Sequence, residues 1–359
     1  MRKNLVCLFA AIVALGFTAC SSSDDEEFVF VLDSRLPLQE LSTPRYLEPY
    51  KNKVYATFFS GYVARIDTTS LLIDGMVEVG RNPERMAVSE GKMYVANSGG
   101  LGWNSSLGYD KTVSVVDIPT FVEDVKIDVA ANPANILSAA DGSLYLVSLG
   151  NYADVPNTLQ KINPSTHEVS NISSVANMSE MCYLNGSLYG LLSEYDANWN
   201  QTITYKSYNT VTGTATAAWI TDGTTIPNPY KVFTEGNYLC VSSSDYVNYG
   251  DVYLFTEAGE LVTKFEAGTG PRKAVNANGR IYILNEGLQN ANNSSLTMYD
   301  VTTGAVTNNY FKAVNEGIGI GDTANDIIVY GNKMYITVSS DNIIWVTDLN
   351  AKVIGKIEL

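Results

Sequence analysis

Histidine and cysteine are scarce in this chain. Its 359 residues include one histidine, His167, and four cysteines, of which only Cys182 and Cys240 lie beyond the first twenty residues. Ser-His-Asp and Cys-His catalysis and His-based zinc sites all need a histidine beside other reactive groups, and His167 lies in the short turn NPSTHEV. The sequence therefore excludes these chemistries. We interpret Cys182 and Cys240 as small buried hydrophobes, with a single disulfide as the alternative.

Basic residues are also few. The chain has 23 Lys and Arg against 38 Asp and Glu, a net charge of −15 at pH 7. Such acidity disfavours binding to nucleic acid or to an anionic lipid surface. The sequence contains no glycine-rich phosphate loop, no Asp-x-Asp-x-Asp-Gly calcium loop and no cysteine pair at metal spacing. We therefore expect no metal and no cofactor.

Long apolar runs are confined to the N-terminus. Residues 1–19 combine Arg2 and Lys3 with the run LVCLFAAIVALGF, which predicts a secretory signal peptide too short to span a membrane. The closing FTAC resembles a bacterial lipobox, although that pattern prefers Leu to Phe at its first position. The resemblance implies cleavage before Cys20 and lipidation of its thiol. The alternative is an ordinary cleaved signal with a chance cysteine.

Residues 20–27 include the run SSSDDEE, whose charge and polarity predict a flexible tether. It is similar to the acidic stretch behind the lipidated cysteine of lipoproteins displayed on Gram-negative bacteria. That likeness implies an outer-membrane location, facing the cell exterior, with membrane contact through the lipid alone. Residues 28–359 would then form the body of the protein.

One phrase recurs seven times along the body. GKMYVANS at 91–98 is the clearest copy, and its tyrosine marks equivalent positions spaced 39, 51, 44, 50, 43 and 53 residues apart. The seven markers are Tyr55, Tyr94, Tyr145, Tyr189, Leu239, Tyr282 and Tyr335. A unit of this size that recurs along a chain is typical of repeat architectures.

Each copy contains four short apolar segments separated by turns, as in ERMAVSE, KMYVANS, TVSVVD and VEDVKIDV. This pattern predicts an all-β fold, a seven-bladed β-propeller of four-stranded antiparallel blades. Residues 28–359 form a single domain in this interpretation, because no blade buries its core alone. Both EFVFVLDS at 27–34 and KVIGKIEL at the C-terminus fit a fourth strand, so the strand that closes the ring is left open.

The Tyr94-Val95-Ala96-Asn97 phrase and its repeats resemble the YVTN-type seven-bladed propellers, over nearly all of the chain beyond the signal peptide. The resemblance is specific for the fold and weak for the function.

One face of the predicted propeller carries the longer loops. Strands a to d run outward from the axis, and the b–c loops of blades 2 to 6 are long, whereas the a–b turns are minimal. These loops supply seven aromatic candidates for ligand contact, because a cluster of aromatics on one surface indicates a binding site. They are Trp103, Tyr109, Tyr152, Tyr195, Trp199, Tyr246 and Tyr249. The alternative is that each aromatic only packs its loop onto the stem.

A second set of candidates begins strand a of every blade. The position is polar or amphipathic in all seven copies and the next one is apolar, which places the first set around the mouth of the axial channel. The set comprises Tyr46, Arg85, Asn135, Glu180, Lys231, Lys273 and Asp326. Mixed charge favours hydrogen bonding to a large polar ligand. The alternative is that a wet channel simply contains polar residues.

Within the YVTN-like group, the chain resembles lipid-anchored surface propellers that capture cobalamin for an outer-membrane TonB-dependent transporter. The resemblance implies a binding protein for a bulky nutrient, not an enzyme. A glycan-binding module and a protein-interaction scaffold are the alternatives. A carboxylate-based hydrolase using Glu180 and Asp326 is a further one, but cations lie between these residues along the ring.

Overall fold

The structure is a computed structural model, and it describes residues 36–359 except 101–106, 197 and 199. The strands form seven four-stranded antiparallel sheets, each built from four strands that are consecutive in the chain. Blades 1 to 4 consist of β1 Pro44–Tyr50, β2 Lys53–Phe58, β3 Tyr62–Asp67, β4 Ile73–Glu78, β5 Pro83–Ser89, β6 Lys92–Asn97, β7 Thr112–Asp117, β8 Val122–Asp128, β9 Pro133–Ser138, β10 Leu144–Ser148, β11 Thr158–Ile162, β12 Val169–Asn171, β13 Met178–Leu184, β14 Ser187–Tyr195, β15 Gln201–Asn209 and β16 Thr214–Ala215.

Blades 5 to 7 consist of β17 Pro229–Glu235, β18 Tyr238–Ser243, β19 Tyr249–Phe255, β20 Leu261–Thr269, β21 Pro271–Ala277, β22 Arg280–Asn285, β23 Ser295–Asp300, β24 Val306–Thr307, β25 Ala324–Tyr330, β26 Lys333–Val338, β27 Ile343–Asp348 and β28 Val353–Glu358. The first strand of each blade packs against that of the next, and β1 packs against β25. The ring is therefore closed, and the predicted seven-bladed propeller is confirmed.

The fourth strand of blade 7 is β28, which corresponds to the KVIGKIEL segment. The competing segment at 27–34 lies outside the described residues, as do the signal peptide, Cys20 and the tether. Their roles stay predictions.

The core lies between blades. Marker residue Tyr94 is fully buried and packs against Ile136 and Leu144 of the next blade, while its hydroxyl donates to the carbonyl oxygen of Pro164 at 3.0 Å. Tyr282 repeats the arrangement, donating to the carbonyl of Leu349 at 3.2 Å. Both faces of a blade are thus covered, which explains why the marker strands are apolar on both alternating sets.

Blades 4 and 6 have outer strands of only two residues, shorter than the sequence pattern predicts. The long connections that follow them supply bulky side chains instead. Trp219 is 3% exposed and packs edge-on against Tyr189 and Phe255, with ring centroids 5.8 and 5.7 Å apart. Phe311, on the five-residue helix α1 (Tyr310–Val314), is buried beside blade 7.

Cys182 and Cys240 are buried and not bonded to each other, in agreement with their interpretation as small hydrophobes. Burial raises the pKa of the Cys182 thiol, so it stays protonated. Within the part of the chain that is described, no helix has the length and apolarity needed to cross a membrane.

Candidate ligand-binding face

Every innermost strand contains a β-bulge at the same place. In blade 1, Pro44 opposes Phe58 and Leu47 opposes Ala56, so two residues on β1 stand against one on β2. The other six blades show the same extra residue near the start of their first strand. A bulge redirects side chains that strict alternation would place on opposite faces. In blade 6 this brings the residue before the ring position close to the ring, where Arg272 Nη2 donates to the Tyr46 hydroxyl at 3.2 Å.

The predicted ring residues lie around the axis in two groups. Five of them line an axial channel of about 300 Å³, namely Tyr46, Arg85, Asn135, Lys273 and Asp326. The other two, Glu180 and Lys231, line an adjoining cleft beside the channel mouth.

The ring residues mostly contact one another. Glu180 forms an ion pair with Lys231, and Lys273 Nζ lies 2.6 Å from Asp326 Oδ1. The other carboxylate oxygen of Asp326 accepts the backbone N–H of Leu47 at 2.9 Å. Glu180 and Asp326 are therefore each engaged in an ion pair with a lysine of the ring.

A second set of charged residues at the mouth was missed by the sequence analysis. Arg45 contacts Glu84 at 2.6 Å, and Arg272 contacts Glu286 at 2.5 Å. These two arginines and Glu84 immediately precede ring residues, so the bulge brings their side chains close to the ring residues. The sequence signal that could have identified them was a charged residue one position before the ring residue in several blades.

Glu286 joins this set from the b–c loop of blade 6. It accepts a hydrogen bond from the Tyr230 hydroxyl at 2.7 Å as well as the Arg272 contact. Burial opposes its ionisation, but the Arg272 guanidinium and the Tyr230 hydroxyl outweigh that effect and hold the pKa of Glu286 below its ordinary value. Burial raises the pKa of Tyr230, which keeps the phenol protonated as a donor.

A cleft of about 780 Å³ is formed by blades 3, 4 and 5. Tyr152 of blade 3 and Tyr246 of blade 5 line it and are 55% and 67% exposed. Tyr230 and the Glu180–Lys231 ion pair line its inner side. The cleft thus combines exposed aromatic rings with a charged, hydrogen-bonding wall.

The loops of the cleft hold its tyrosines in a conformation that bulky residues rarely adopt. Tyr152 and Tyr246 have φ of 57° and 61°, in the left-handed region. In blade 3, Asn151 Oδ1 accepts the N–H groups of Ala153 and Val155 at 3.0 and 2.8 Å. These bonds fix the turn and leave the ring of Tyr152 outside the loop.

Blades 4 and 5 repeat this loop. Asp196 Oδ1 accepts the N–H groups of Asn198 and Asn200 at 2.8 and 2.9 Å. Asp245 Oδ1 accepts those of Val247 and Asn248 at 2.9 and 2.7 Å. In three consecutive blades an Asn or Asp side chain thus accepts two backbone N–H groups of its own b–c loop, and the loops of blades 3 and 5 line the cleft.

The remaining aromatic candidates are dispersed. Tyr109 packs edge-on against Tyr152, with ring centroids 6.1 Å apart. Tyr249 is 51% exposed but begins β19 and does not line the cleft. Tyr195 ends β14 and pairs with Gln201, whereas Trp103 and Trp199 lie outside the described residues. Of the aromatic candidates, Tyr152 and Tyr246 therefore line the cleft, and Tyr109 packs against Tyr152.

No group of three or more His, Cys, Asp and Glu side chains in the described ranges is arranged to hold a metal ion.

Comparisons with known proteins support the fold. Residues 278–357, most of blades 6 and 7, match a family model described as a domain of unknown function, DUF5074. A computationally designed protein, Ika8, is similar with a TM-score of 0.56 and 10% identity, covering 88% of this chain and 87% of that one. Dihydro-heme d1 dehydrogenase NirN, solved in complex with DHE, is similar with a TM-score of 0.54 and 12% identity, covering 88% and 66%. No curated protein matches. At such identities the likeness shows a shared propeller fold.

Proposed function

We propose that this chain is a lipid-anchored binding protein of the cell surface that captures a bulky nutrient in the cleft of blades 3 to 5. The expected nutrient is cobalamin, delivered to an outer-membrane TonB-dependent transporter. The observation that carries the proposal is the cleft itself, where two exposed tyrosines on different blades flank a charged inner wall.

Exposed tyrosines of this kind have a physical cost that a ligand would offset. Tyr152 and Tyr246 leave large apolar areas in water and hold a left-handed backbone, which is unfavourable by about 1–2 kcal/mol per residue. Tyrosine also supplies contact area with little loss of side-chain entropy on binding. Tyr152 packs edge-on against Tyr109 and Tyr246 against Tyr230, so each ring is held in place on the cleft wall while more than half of the residue stays exposed, which favours a role in contact.

The size and composition of the cleft favour a broad ligand. Its volume of about 780 Å³ falls in the upper part of the range for ligand sites. A whole blade separates Tyr152 from Tyr246, so one ligand touching both must extend across blade 4. Cobalamin, proposed from the family resemblance, combines a wide apolar ring with peripheral amides, which suits rings on the rim and Glu180, Lys231 and Asn177 on the walls.

Isothermal titration with cyanocobalamin tests the proposal. We expect binding at micromolar concentration or tighter, and a loss of about tenfold or more in affinity for Tyr152→Ala and Tyr246→Ala. Tyr249→Ala is the matched control, because Tyr249 has similar exposure but lies outside the cleft. Absence of binding to the unaltered protein would remove cobalamin as the ligand.

A carbohydrate array with the same three variants separates the glycan alternative. If a glycan binds and its capture depends on Tyr152 and Tyr246 but not on Tyr249, the cleft is a glycan site instead.

Surface display depends on residues 1–27 and is tested independently. Lipidation at Cys20 predicts that the protein fractionates with the outer membrane and is degraded by protease added to intact cells. Cys20→Ser should release it from the membrane fraction. Retention of that variant in the membrane would contradict the anchor.

A further inference from the structure

Charged groups around the axial channel are almost completely paired. Five basic and five acidic side chains lie at the bulges, on the channel wall or in contact with those residues. Four ion pairs join eight of these groups: Arg45–Glu84, Lys231–Glu180, Arg272–Glu286 and Lys273–Asp326. Among the described residues, this leaves Arg85 and Glu48, both of which line the channel.

Arg85 is the unusual member. Its guanidinium lies over the Tyr46 ring, 5.3 Å from the centroid, and none of its N–H groups finds a hydrogen-bond acceptor in the described part of the chain. Apolar side chains, including Met86 and Ile136, form the neighbouring wall. A partly buried guanidinium offers five donors in a fixed fork that matches an oxyanion.

We propose that the axial channel is an anion-binding subsite, in which Arg85 binds an oxyanion such as a sulfate, phosphate or carboxylate group. The contact with the Tyr46 ring restrains the guanidinium, and its fork geometry allows two N–H groups to donate to one anion. The channel volume of about 300 Å³ admits a group of this size. This site is separate from the cleft, and it stands whether or not the cleft binds a nutrient.

Glu48 couples this site to pH. On β1 it faces Arg85 of β5, Lys273 of β21 and Asp326 of β25. Burial raises the pKa of Glu48 to about 7, an effect that Asp326 increases and that Lys273 and Arg85 oppose. Of these neighbours, Lys273 and Asp326 neutralise each other. The carboxylates of Glu180 and Asp326 also act on Arg85. Protonation of Glu48 removes one further negative charge from the channel wall, so an anion should bind more tightly below neutral pH.

Calorimetric titration with sodium sulfate tests the subsite, because sulfate keeps its charge across the range compared. Ionic strength is held constant with sodium chloride, at about pH 5.5 and about pH 8.5. We expect binding that is roughly tenfold tighter at the lower pH, from the removal of one nearby negative charge. Glu48→Gln should abolish the pH dependence while keeping the binding.

Arg85→Gln should abolish sulfate binding, and Arg81→Gln should leave it unchanged. Arg81 is an exposed cation of the same blade outside the channel, so it controls for long-range attraction. Thermal unfolding checks that both variants fold. Should Arg85→Gln not fold, Arg85→Lys serves instead, with weaker binding expected because a point charge replaces the fork. No sulfate binding by the unaltered protein, or equal binding by a folded Arg85 variant, would overturn the proposal.

Discussion

The junction between blades 7 and 1 and the junction between blades 3 and 4 are built differently. At the first, buried groups cross between the blades: Asp326 Oδ2 accepts the Leu47 N–H at 2.9 Å, and Thr337 Oγ1 donates to the Arg45 carbonyl at 2.6 Å. Ser339 Oγ likewise donates to the Pro44 carbonyl at 2.6 Å. At the second, Asn135 Nδ2 donates to the Met181 carbonyl at 3.0 Å on the channel wall.

This difference follows from what each junction does. Blades 1 and 7 join the two ends of the described chain, and their sheets exchange no strand, so hydrogen bonds stabilise the closure. Their b–c loops are tight, at residues 59–61 and 339–342. Blades 3 to 5 instead carry the Asn and Asp loops and the exposed tyrosines. One repeat unit has thus been adapted for closure on one side of the ring and for contact on the other.

The closure should be the more sensitive junction. Asp326→Ala leaves Lys273 without its partner and the Leu47 N–H without its acceptor, which we expect to lower the free energy of unfolding by about 3–5 kcal/mol. Asn135→Ala, the counterpart at the junction of blades 3 and 4, should lower it by about 1 kcal/mol. Urea unfolding of both variants measures the difference. Equal losses would mean that the two junctions contribute alike.

Glu48, which also lies on the closing strand β1, should make stability depend on pH. Its pKa is about 7 in the fold and lower in the unfolded chain, so the folded state binds the extra proton between those values. Stability should then fall as pH rises from about 4.5 to about 7, by up to roughly 3 kcal/mol, and change little from this group above that. Glu48→Gln should flatten this part of the profile. An unchanged profile in denaturant titrations would contradict the assignment.

On the cleft side, the smallest effect is expected from Tyr246→Gly. Glycine adopts the φ of 61° without strain, so the free energy of unfolding should stay within about 1 kcal/mol of the original or rise. Thermal unfolding measures this, with Tyr94→Gly as the contrast because Tyr94 is fully buried. A large loss for Tyr246→Gly would show that its ring stabilises the fold rather than serving contact.

The periodicity of the sequence predicted the fold and part of the candidate site. The Tyr94 phrase predicted the blades because a strand covered on both sides must be apolar on both sides. Tyr152 and Tyr246 were found because aromatics in enlarged loops stand out. Tyr249 was predicted with them because it lies close to Tyr246 in the sequence, but it begins a strand and does not line the cleft.

Three of the missed residues share one cause. Alternation places Arg45, Glu84 and Arg272 on the face opposite the ring residues that follow them. The bulge near the start of each first strand breaks that alternation, so these residues need not face away from the ring residues. A bulge depends on how two strands pair, which the order of residues along one strand does not reveal.

By itself, the sequence determined seven repeats, their strands, the enlarged loops and the ring of polar residues, because each of these follows from local pattern and period. Only the tertiary structure decided which side chains meet: the ion pairs around the channel, the contact of Arg85 with the Tyr46 ring, and the cleft shared by three blades. These contacts join residues far apart in the chain, and their partners are selected by bulged register and ring closure rather than by spacing.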